Sequence, residues 1–72
     1  MERIFTNLSQ FDGTRLIELF KNLDKEITIF GLRNNQLGNY RNSDLEAIFK
    51  LIFTNKVIEL DLSENHFGKQ KS

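Results

Sequence analysis

The chain contains no cysteine, no proline and no tryptophan, and only one histidine. Without cysteine there is no disulfide, no thiolate metal site and no thiol nucleophile. One histidine excludes a multi-histidine metal centre within a single chain. A charge excess of either sign is also missing, because ten basic residues balance ten acidic ones. That balance argues against a nucleic-acid partner, which calls for a basic stripe, and against an anionic membrane surface. No apolar run approaches the roughly 20 residues of a membrane span. The first residues, MERIFTNLSQF, lack the apolar core of a signal peptide. The absence of cysteine fits a reducing, cytoplasmic-type compartment. At 72 residues the chain holds one domain, and a domain of this size buries only about 60% of its unfolded surface.

What is present is an internal repeat. Residues 57–68, VIELDLSENHFG, match residues 27–38, ITIFGLRNNQLG, position for position. Ile27 aligns with Val57, Phe30 with Leu60, Leu32 with Leu62, Asn35 with Asn65, Leu37 with Phe67 and Gly38 with Gly68, always at an offset of 30 (57 − 27, 68 − 38). Each match reads as a short strand (27–32 and 57–62) followed by a turn. A helix is expected over residues 14–23, with Leu16, Leu19, Phe20 and Leu23 on one face and Thr14 as its N-cap. A second is expected over residues 43–53, with Leu45, Ile48, Phe49 and Ile52 on its face. Ser43 and Glu46 there form an S-x-x-E capping box. The helices repeat at an offset of 29 (45 − 16). Ala47, Leu51 and Phe53 lie off that face and are left for a neighbouring helix or a further repeat. Residues 1–12 read as a degenerate first strand and turn acting as a cap. Ile4, Phe5, Leu8 and Phe11 would cover the end of the first full repeat, and Asn7 would echo Asn35.

Strands joined by crossover helices must run parallel. The sequence thus predicts an α/β fold with Leu60 on Phe30 and Leu62 on Leu32 as core ladders. Asn35 and Asn65 would satisfy the backbone groups left where strand pairing ends. Leu37 and Tyr40 would anchor the turn after the first clear strand.

The pattern L-x-x-L-x-L-x-x-N-x-L, with a helix in each repeat, resembles the leucine-rich repeat family. The helix-containing, ribonuclease-inhibitor-like class is the nearest in pattern. The resemblance covers roughly residues 14–68. It implies a solenoid with a short curved parallel sheet inside and helices on the convex side. The divisions would be a degenerate capping repeat with its helix (1–26), a full repeat (27–56) and a truncated repeat (57–72). It further implies a non-enzymatic module that binds another protein through its concave sheet face. Carried over to this chain, the solvent-facing positions are Thr28, Ile29, Gly31, Arg33 and Asn34 on one strand. On the next they are Ile58, Glu59, Asp61, Ser63 and Glu64. The expected partner-binding set is Ile29, Arg33, Ile58, Glu59, Asp61, Ser63 and Glu64. Its acidic second strand points to a basic or mixed partner. No cofactor or metal is implied.

A nucleophilic triad of Asp61, Ser63 and His66 is set aside, because alternating strand geometry and the turn at Asn65 work against convergence. Two other expectations stand. The last strand has no later repeat to cover it, so self-association through that edge is expected. The segment also reads as a terminal or capping fragment of a longer array. Family members of this class include host regulators and effectors that bacteria inject into host cells. The Asn-, Lys-, Ile- and Phe-rich composition leans toward the second.

Overall fold

The computed structural model describes residues 1–69. Three short parallel strands form one sheet in the order β1 (Glu2–Ile4), β2 (Ile29–Gly31), β3 (Glu59–Asp61). Helix α1 (Gly13–Lys21) connects β1 to β2, and α2 (Asn42–Ile52) connects β2 to β3. Each strand leads into a 3-10 turn, at Leu8–Gln10, Leu37–Asn39 and Phe67–Lys69. The segment of residues 70–72 in the expected truncated repeat lies outside the described residues.

The register follows the offset read from sequence. Phe30 pairs with Leu60 and Gly31 with Asp61, both 30 residues apart. Even positions of the strand go inward: Phe30 and Leu32 are 0% exposed. They join Leu16, Phe20, Ile48 and Ile52 from the helices in one apolar cluster. The helices therefore cover one face of the sheet, and among the described residues the other stays open. Phe5 from the first unit stacks on Phe20 at 5.3 Å and on Phe30 at 6.4 Å between ring centroids.

The residues of the first unit differ from the expectation in two ways. Ile4 is 68% exposed rather than buried in a cap. Only Phe5 and Leu8 are buried there, with Phe11 packed at the margin of the cluster. Asn7 does not echo Asn35. Strand pairing sets Ile4 beside Gly31, an offset of 27, while the 3-10 turns begin at Leu8 and Leu37, an offset of 29. The first turn is thus two residues shorter. Asn7 takes one left-handed position (φ 57°), where the second turn has two, Asn34 and Gln36, flanking Asn35. The third turn repeats the longer pattern, with Glu64 and His66 left-handed around Asn65.

The helix starts also move. Asp12, not Thr14, caps α1, accepting from the Arg15 N–H at 2.8 Å. Arg41 holds the N-cap position of α2 and makes no side-chain cap bond, so Ser43 lies inside the helix and the capping box is not formed. A Cβ at Gly13 would meet the end of the Asp44 side chain of α2, which can swing aside. Phe53 falls one residue past the helix and is 61% exposed.

Candidate functional site: the open sheet face

The open face is built by the first and third residues of each strand. Pairing lines them up in two rows, Glu2, Ile29, Glu59 and Ile4, Gly31, Asp61. Ile4 lies across Gly31, with its Cγ1 3.3 Å from where a Cβ would stand. A shallow depression over these rows is lined by Ile29, Arg33, Glu59, Asp61 and Glu64 of the expected set, together with Glu2 and Ile4. Ile58 and Ser63 are not in its lining. Ile58 precedes β3 and is 73% exposed. Ser63 is turned onto Asp61, donating from both its N–H (3.0 Å) and its hydroxyl (2.6 Å) to the same carboxylate oxygen.

Charge on the face is partly paired. Arg33 Nε donates to Glu64 Oε2 at 3.0 Å, joining two successive turns. That hydrogen bond and the Arg33 charge lower the Glu64 carboxyl below its ordinary value. The Ser63 hydroxyl and N–H do the same for Asp61. Both carboxylates stay ionised and exposed at neutral pH. With Arg33 engaged by Glu64, the unbalanced charge on the rows comes from Glu2, Glu59 and Asp61.

Beneath the face, two asparagines hold the turns in step. Asn65 Oδ1 accepts from the N–H of Asn35 (2.8 Å) and of Leu37 (3.2 Å), and its Nδ2 donates to the carbonyls of Leu32 and Leu62. Asn35 Oδ1 accepts from Leu8 N–H, and its Nδ2 donates to Phe5 O and Arg33 O. Both are 1% exposed and part of the framework. A third buried asparagine ties the opposite end of the strands through its Nδ2 alone, its Oδ1 having no partner among the described residues. Asn55 Nδ2 donates to Asp24 O (3.1 Å) and Ile27 O (3.0 Å). The repeat gives no signal for it, because the residue thirty earlier is Lys25.

Tyr40 anchors its turn as expected, but to the preceding unit. Its hydroxyl lies 2.8 Å from Leu8 O and 2.6 Å from Phe11 O. Burial, and then the charge of Asp12, raise its ionisation above the usual phenol value. His66 is exposed on a left-handed turn. No group of three His, Cys, Asp or Glu able to hold a metal occurs among the described residues. Comparison with protein-family profiles, curated proteins and solved structures finds no match.

Proposed function

We propose that this chain is a non-enzymatic module of leucine-rich-repeat type that binds another protein through the open face of its sheet. One observation carries the proposal. All-parallel sheets are nearly always covered on both faces, yet among the described residues one face is bare and carries Ile4 and Ile29 among Glu2, Glu59 and Asp61. An apolar centre with an acidic surround suits a partner that presents an apolar side chain flanked by lysine or arginine. The contact residues are Ile4, Ile29, Arg33, Glu59, Asp61 and Glu64.

A photo-crosslinking side chain placed at Ile29 tests this, with the same group at Lys21 on α1 as the control. The expected result is a discrete protein adduct from Ile29 that disappears with Asp61→Lys, and none from Lys21. Equal adducts from both positions, or an adduct indifferent to Asp61→Lys, would overturn it.

A second role, as the terminal unit of a longer array, is favoured by the uneven burial of matched residues. Ile27, Phe30, Leu32 and Leu37 are 0–1% exposed, whereas Val57, Leu60, Leu62 and Phe67 are half-buried. The two roles are compatible, since the sheet face and the end of the array are different surfaces.

A further inference from the structure

The edge of β3 is the mirror of an interface the molecule has already built once. Past the ladder of β2 and β3, five backbone N–H groups on the β2 side reach across the joint. Leu32 donates to Asp61 O, Asn34 to Ser63 O, Asn35 and Leu37 to Asn65 Oδ1, and Gly38 to Asn65 O. Thirty residues on, Leu62, Glu64, Asn65, Phe67 and Gly68 occupy the same places along the other edge of β3. Gly38 is pressed so closely on the next turn that a Cβ would overlap the carbonyl of His66, while a Cβ on Gly68 would meet nothing within 4 Å among the described residues. The shape, the donors and the half-buried Leu60, Leu62 and Phe67 all repeat a surface that, one unit earlier, accepts a parallel strand and an asparagine turn.

We propose that this edge binds a strand-and-turn segment that lies outside the described residues and is not a second copy of this chain. That segment runs parallel to β3, carries an asparagine at the place of Asn65, and presents basic side chains beside Glu59 and Asp61. The mode is strand addition, in which main-chain bonds supply affinity and alternate side chains supply specificity.

A second copy of this chain fits poorly in either arrangement. Stacking β1 of one copy on β3 of another would offer no asparagine, because the first turn is two residues short and has none at that place. It would also set Glu2 beside Glu59. Antiparallel pairing of two β3 edges about Leu60 would set Glu59 opposite Asp61, and like charges directly opposed destabilise a sheet. Basic residues at those two places turn the same contact attractive.

The probe is a peptide of residues 56–69 with Glu59→Lys and Asp61→Lys, titrated into the full chain and followed by backbone amide shifts and hydrogen exchange. The expected result is shifts confined to residues 58–68, with slowed exchange at Leu62, Glu64, Asn65, Phe67 and Gly68. The unaltered peptide and a Lys-bearing peptide with Asn65→Ala should bind at least tenfold more weakly. Gly68→Val in the protein should abolish binding with its circular dichroism unchanged. No binding by the Lys-bearing peptide, equal binding by the Asn65→Ala peptide, or a dimer of the unaltered chain through this edge in sedimentation would overturn the proposal. If Gly68→Val alters the fold, the exchange pattern of the unaltered protein decides by itself: protection elsewhere than the β3 edge would overturn it.

Discussion

Asn65 and Asn35 are the residues on which the sheet and its turns depend most. Each replaces several backbone partners where the strands diverge, and each is nearly inaccessible. Asn65→Ala strands the N–H groups of Asn35 and Leu37 and the carbonyl of Leu32. Chemical denaturation should show a loss of about 2–3 kcal/mol, in line with the cost of unsatisfied buried groups. Two glycines at matched places should respond oppositely. Gly38→Ala forces a Cβ into the backbone of the next turn and should cost about 1–3 kcal/mol. Gly68→Ala meets open space among the described residues and should stay within about 0.5 kcal/mol. The asparagine ladder was legible in the sequence because both members recur in register. Asn55 was not, because it bonds across units without a counterpart of its own. Nor was the short first turn, since a two-residue deletion changes the offset from 27 in the strand to 29 at the turn, where Leu8 matches Leu37.

Among the elements, the helices were easier to place than their starts. Apolar spacing located both, since Leu16, Phe20, Leu45, Ile48 and Ile52 are all buried. The caps depended on chain direction at entry, which spacing does not encode. Asp12 adopts the extended backbone of a cap (φ −75°, ψ 173°), so Asp12→Ala should lower stability by about 0.5–2 kcal/mol. Thr14, inside the helix, should tolerate alanine. Thermal midpoints of the two variants distinguish these outcomes directly. The strands were expected over six residues each and form ladders of three, Ile29–Gly31 and Glu59–Asp61. Of the flanking apolar residues, Ile27 and Leu32 are buried and Val57 and Leu62 only half-buried, and beyond Leu32 the chain bonds to the asparagine side chain in place of a regular ladder.

At the scale of the whole molecule, the same segment serves framework and recognition by alternation. Inward residues of β3 continue the core, and outward ones carry charge. The outward charges give a pH signature. Asp61 and Glu64 titrate below their ordinary values of 3.8 and 4.5, so the folded chain holds them ionised more strongly than the unfolded one. Their contribution is present above those ordinary values and is lost as pH falls through the lowered ones. Stability should therefore hold from neutral pH down to about 4.5 and drop below it. Arg33→Gln should lessen that drop, as read by urea midpoints across the range. The central claim is that Glu59 and Asp61 serve binding far more than folding, the exposed Ser63 bonds to Asp61 adding only a small part of the stability. Its most direct test is the double variant Glu59→Lys with Asp61→Lys, assayed for thermal midpoint and for capture of the protein that crosslinks at Ile29. The account predicts a midpoint within about 2–4 °C of the unaltered chain, a shift of under 1 kcal/mol for a domain this small, with capture reduced at least tenfold. Undiminished capture, or loss of capture that tracks unfolding, would contradict it.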